Sequence, residues 1–163
     1  IKGRRSMATF FLYFCDVTVP LRFRPGNIVF RNCTVDNVSR LIRYNFGGET
    51  WQHAAPLTDV TFENVRATNL WNPVALNASS AEGENVPLVC TMRHCEIGFN
   101  REVPEVFSCL NVKTLTLEDV AISGTTAPLI RTWGPAPQLL VKNLTGLAPR
   151  MVDGKAPYKC PPR

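Results

Sequence analysis

The chain has 163 residues, 45% of them hydrophobic, which suits one domain with a continuous apolar core rather than two. Its formal charge of +5 comes without a long basic run, so nucleic acid is not an expected partner, and no stretch reaches the roughly 18 apolar residues of a membrane span. The 13 prolines and 10 glycines are scattered, which excludes collagen-like and low-complexity chains.

Residues 1–26 begin with basic Lys2, Arg4 and Arg5 and continue into the apolar run 8–15. That run has the basic flank of a signal sequence but lacks a small-residue cleavage site, and its aromatic content suits a buried strand. An N-terminal coil or cap is the expectation for this part. From residue 27 the chain repeats itself. Segments 28–35, 60–67, 90–97, 115–122 and 139–146 align without gaps. Their anchors, Phe30, Phe62, Met92, Leu117 and Val141, lie 32, 30, 25 and 24 residues apart. Variable spacing of this kind fits coils joined by turns of different length, not a fixed-length helical repeat.

Each position of the repeat has its own chemistry. The first and third are apolar in every row: Ile28/Phe30, Val60/Phe62, Cys90/Met92, Leu115/Leu117 and Leu139/Val141. This is the alternation of a strand with one face buried. The fourth position, Arg31, Glu63, Arg93, Glu118 and Lys142, alternates in sign, so stacking the rows sets each charge beside an opposite one. The fifth is polar throughout (Asn32, Asn64, His94, Asp119, Asn143), and because Asn and Asp tolerate left-handed backbone it predicts a bend. His94 is therefore expected to be a turn residue, not a catalytic base.

Beyond each bend a second apolar strand is expected: Leu41-Ile42-Arg43-Tyr44, Val74-Ala75-Leu76, Val106-Phe107-Ser108-Cys109, Leu129-Ile130-Arg131-Thr132 and Met151-Val152. Loops 45–56 and 77–87, rich in Gly, Ser, Glu and Asn, account for the longer early rows, and no helical period is present.

Six cysteines invite a disulfide reading, but Cys33 and Cys95 share the sixth position with Val65 between them, two strand spacings or roughly 9–10 Å apart, too far to bridge. Cys15, Cys90, Cys109 and Cys160 have no metal-binding spacing, so neither a metal nor a cofactor is expected. Reduced thiols lean toward a reducing, cytoplasmic compartment. The sequons at Asn32, Asn37, Asn77 and Asn143 are read as coincidental, since two of them are bend residues.

With its rows aligned, the chain resembles the later coils of the right-handed parallel β-helix of pectin-degrading, polygalacturonase-type glycoside hydrolases. The resemblance covers residues 27–147 and rests on Ile28-Val29-Phe30-Arg31-Asn32-Cys33-Thr34-Val35, Val60-Thr61-Phe62-Glu63-Asn64-Val65 and their counterparts. It implies an all-β, pectin lyase-like solenoid of about five to six coils over residues 1–163, with a C-terminal cap at 148–163. Ile1-Lys2 resembles the end of the Arg-Ile-Lys segment with which such hydrolases hold a substrate carboxylate. Tyr44 falls where they often place an aromatic near the sugar. The catalytic aspartate motifs and the Gly-His-Gly segment of that family are absent.

The expectation is therefore a carbohydrate-associated fragment or truncated relative of such a glycoside hydrolase: with the missing coils the complete protein would hydrolyse uronic-acid-rich polysaccharide, and this chain alone would at most bind it, through Lys2, Arg4, Arg5, Arg43, Tyr44 and Trp51. Inverting hydrolysis needs two carboxyl groups about 6.5–9.5 Å apart, and Glu118-Asp119 belongs to the ladder and the bend. The weak catalytic candidates are Glu82 and Glu84, in the 77–87 loop, followed by Glu102 and Glu105, with His53 the sole histidine outside the bend position. The alternative is a non-catalytic interaction module that assembles through an open coil end, as a homodimer.

Overall fold

The computed structural model describes residues 2–6, 10–12, 26–45, 57–78 and 87–154, and every regular element among them is a strand. β1 (Lys2–Ser6) and β2 (Phe10–Leu12) open the chain. Five pairs of one long and one short strand follow: β3 (Ile28–Val38) and β4 (Ile42–Asn45), β5 (Asp59–Leu70) and β6 (Val74–Asn77), β7 (Leu88–Phe99) and β8 (Phe107–Leu110), β9 (Val112–Ser123) and β10 (Ile130–Thr132), β11 (Gln138–Thr145) and β12 (Met151–Asp153). Consecutive strands alternate between two six-stranded sheets, ordered β1-β3-β5-β7-β9-β11 and β12-β10-β8-β6-β4-β2. All pairings are parallel.

The register of the long strands is the one the repeat predicts. Phe30 stands opposite Phe62, Phe62 opposite Met92, Met92 opposite Leu117 and Leu117 opposite Val141. Apolar side chains at the first and third positions stack into one core, where Val60, Phe62, Cys90, Met92, Leu115 and Leu117 are at most 1% exposed. The Phe30 and Phe62 rings stack at 5.2 Å. A one-residue slip would turn every one of these side chains toward water, so the core itself enforces the register.

At the bend position Asn32, Asn64, His94, Asp119 and Asn143 all have φ between 52° and 59°. The second strands expected beyond the bend are present as β4, β6, β8, β10 and β12, but the bend does not end the first strand of a row: each long strand runs through it unbroken, because a single left-handed residue turns the chain while its neighbours keep their ladder bonds. Side chains at the bend form a second ladder, in which Asn64 Nδ2 donates to Asn32 Oδ1 at 2.7 Å and Asn143 Nδ2 to Asp119 Oδ1 at 2.9 Å. Another left-handed set, at Asn37, Asn69, Gly124 and Gly146, lies near the far ends of the long strands. There Gly124 has φ 78°, and a Cβ on it would lie 1.9 Å from the Phe99 carbonyl oxygen, so this turn requires glycine.

The charge ladder forms as Arg31–Glu63 at 2.8 Å, Arg93–Glu118 at 3.2 Å and Lys142–Glu118 at 2.7 Å, and Arg66–Glu96 adds a further pair at 2.9 Å on the other side of the bend. These partners are solvent-exposed or half-exposed and each pair is worth about 0–1 kcal/mol, so they mark register more than they hold the fold. Cys33, Cys90, Cys95 and Cys109 are free thiols, while Cys15 and Cys160 lie outside the described residues. Burial pushes the Cys90 thiol up to about 12 and raises that of Cys109 as well.

Candidate functional site

The short-strand sheet carries the densest group of buried polar side chains. Along it Ile42, Val74, Phe107 and Ile130 are fully buried, and so, two positions on, are Leu76, Cys109 and Thr132. These face the core. The alternate column, Arg43, Ala75, Ser108 and Arg131, is held in one line by the register and faces away from the core. It is nevertheless largely covered: Arg43 is 6% exposed, Ala75 2% and Ser108 6%.

Arg131 is gripped from the segment that leads into β8. Its Nε donates to Glu105 Oε2 at 3.0 Å, and Nη2 reaches the Pro104 carbonyl at 3.4 Å. The Glu105 side chain is 8% exposed and that of Arg131 28%, so this pair is more buried than those of the charge ladder. Beside it the Trp133 indole N–H donates to Ser108 Oγ at 3.1 Å. The six-membered ring of Trp133 lies against Gly154, where any Cβ would collide with it at 2.3 Å. Arg131 and Trp133 lie two residues apart at the end of β10, where alternation gives them the same face. Two arginines thus flank the small Ala75 and Ser108 in a column whose outer members are Phe11 and Val152. Three strand spacings, about 14 Å, separate the two arginines.

The predicted binding residues do not come together on one sheet. Lys2, Arg4 and Arg5 belong to β1, at the edge of the long-strand sheet, whereas Arg43 and Tyr44 belong to β4 in the other. Tyr44 stands in register with Leu76, one position on from the arginine column. Trp51, Glu82, Glu84 and His53 lie outside the described residues.

The remaining loop acids are in structural use. Glu102 accepts from the Thr126 backbone N–H and hydroxyl and from the Thr125 hydroxyl, and these bonds, led by the backbone one, hold its carboxyl below the usual range. Glu105 is tied to Arg131. Every described glutamate has such a partner: Glu63 and Glu96 pair with Arg31 and Arg66, and Glu118 with both Arg93 and Lys142. His94 Nδ1 lies 3.3 Å from Asp119 Oδ2 within the bend ladder.

Reasoning from the sequence left Ser108, Arg131 and Trp133 out of the candidate site. A signal for one of them was present: Leu41-Ile42-Arg43 and Leu129-Ile130-Arg131 are the same tripeptide at the same place in two rows. No family model matches the chain, and neither does any curated protein or solved structure.

Proposed function

We propose that the chain is a carbohydrate-associated right-handed parallel β-helix, related to the polygalacturonase-type glycoside hydrolases, that holds uronic-acid-rich polysaccharide on the outer face of its short-strand sheet. The observation that carries this reading is the shared column of Arg43 and Arg131, two cations with only Ala75 and Ser108 between them, in a line that continues to Phe11 on one side and Val152 on the other. A guanidinium has five donors in a planar fork, which suits carboxylates presented at intervals along a polymer. Arg131 spends only part of that fork on Glu105 and Pro104.

Titration with oligogalacturonates and with neutral glucans of equal length tests this. Saturable binding of the charged ligand alone is expected, weakening with salt and falling about tenfold for Arg131→Ala, the loss of about 1.4 kcal/mol assigned to one charge-assisted contact. Equal affinity for both ligands, or none for either, rejects the carbohydrate reading. Reducing-sugar release that Glu82→Gln or Glu84→Gln abolishes would replace binding with catalysis.

A further inference from the structure

The arginines of the long-strand sheet and Arg131 of the short-strand sheet meet their acids in different settings. Arg31, Arg66 and Arg93 pair with Glu63, Glu96 and Glu118 through side chains that are between 48% and 65% exposed. Arg131 is held by a buried acid, Glu105, and by the carbonyl of the residue before it, Pro104. Two consecutive residues leading into β8 thus clamp one side chain of β10, the next row of the stack.

The clamp uses one edge of the guanidinium. This group is planar and carries five N–H donors, and Nε and Nη2 share the edge turned toward Glu105 and Pro104. The other edge joins Nη1 and Nη2, and among the described residues nothing accepts from Nη1. In register beside Arg131 stands Ser108, whose Oγ already accepts from the Trp133 indole, and beyond it Ala75, which has no polar side-chain atom. Small neighbours on that side leave room next to the guanidinium, and the Arg131 side chain, 28% exposed, reaches solvent.

We propose that Glu105 is a positioning residue: by filling one edge of Arg131 it fixes the other as an end-on fork, which grips one ionised, unesterified uronate carboxylate through two parallel N–H···O bonds. This rests on the carbohydrate reading above and adds which group of the sugar is read, and how. Two parallel bonds need two charged, coplanar oxygens, and a methyl ester has no charge to offer them. A lysine in this place would supply the charge without the fork. Glu105 stays in place when the ligand arrives, since displacing it would strand a buried carboxylate without its cation. One ion held between two opposite charges is already a feature of this fold, for Glu118 bonds to Arg93 and Lys142 together.

The full chain and its variants are titrated by calorimetry with oligogalacturonate and with the same oligomer methyl-esterified, and thermal unfolding is run on each variant. Arg131→Lys is expected to bind the ionised oligomer as poorly as Arg131→Ala, about tenfold below the native chain. Glu105→Gln, whose amide oxygen still accepts from Nε, should stay within about twofold, while Glu105→Ala, which lets the guanidinium swing, falls about fivefold. In nitrogen–proton spectra of the native chain, with Arg131 assigned from its variants, saturation should slow exchange of the Nη protons and leave the Nε resonance in place. A lysine variant that keeps the affinity overturns the proposal, as does a Glu105→Ala chain that binds like the native one or a folded Glu105→Gln chain as weak as Glu105→Ala. An Nε resonance that moves on binding also overturns it, because the ligand would then have taken the edge assigned to Glu105. All of these leave the carbohydrate reading standing. A native chain that binds neither oligomer, or both equally, rejects that reading and the proposal with it.

Discussion

The middle rows, β5, β7 and β9, and the last described row, β11, share one residue pattern and differ in outcome. Leu139 and Val141 are as apolar as Leu115 and Leu117, and they pair with them residue for residue. Yet Leu117 is fully buried and Val141 is 40% exposed. The pattern within a row decides that it is a strand and in which register it pairs; burial is conferred by the rows on either side. Stability in such a stack is a sum of contacts between neighbouring rows, so equal side chains carry unequal weight according to their place in it.

The sharpest way to break this comparison is to truncate equivalent core positions. Phe62→Ala in a middle row should cost about 3–5 kcal/mol of unfolding free energy, since it opens a cavity flanked by Phe30 and Met92. Val141→Ala should cost less than about 1 kcal/mol, because much of that side chain is already in water. Denaturant titration of both variants decides, and equal losses would contradict a stack in which neighbours confer burial.

Backbone turns give the next largest effect. Gly124→Ala forces a Cβ against the Phe99 carbonyl at φ 78° and should destabilise by about 1–3 kcal/mol. Asn64→Ala, at φ 53°, loses both the tolerance for left-handed backbone and the bond to Asn32, at about 1–2 kcal/mol. Asn64→Gly should recover the backbone part and leave only the lost amide bond. Thermal unfolding of the three variants separates conformation from ladder, and a glycine variant no better than alanine would assign the whole effect to the side-chain bond.

Register and bends were legible in the sequence because they depend on residue type at a fixed position within each row. The sign alternation from Arg31 to Lys142 and the polar fifth position both follow from the spacing between stacked strands. Continuity of the long strands through the bend was not legible, since a left-handed residue can either end a strand or merely turn it. The Arg66–Glu96 pair went unseen because the matching positions in the other rows, Thr34, Ala121 and Thr145, carry no charge. At the site, Arg43 was identified and Arg131 was not, although both follow Leu-Ile. Ser108 and Trp133 gave no signal at all, since their contact joins two rows through side chains and no periodicity encodes it. The binding residues assigned to one surface were divided between two sheets for a related reason: position along the chain says which row a residue occupies, and only the strand within that row says which face.

The smallest effect tests the comparison at its boundary. Hydrogen bonding to Lys142 and its charge, reinforced by Arg93, hold the Glu118 carboxyl below its ordinary value of 4.5, and Glu118 in turn raises Lys142 above 10.5. A carboxyl lowered on folding adds stability above its unfolded value and loses that contribution as pH falls through the folded one. A lysine raised on folding adds stability below its unfolded value and loses it as pH rises through the folded one. The β9–β11 contact is therefore strongest between about 4.5 and 10.5 and weakens on both sides. Only one row depends on this contact, so the loss belongs to β11 and not to the whole fold. Amide hydrogen exchange, corrected for intrinsic rates, should show protection in β11 falling below pH 4.5 while β5 and β7 keep theirs, and Glu118→Gln should remove that local acid limb. An acid limb of the same size in the variant would place the titration elsewhere, and loss of protection in all rows together would mean that the last row is not a separable layer of the stack.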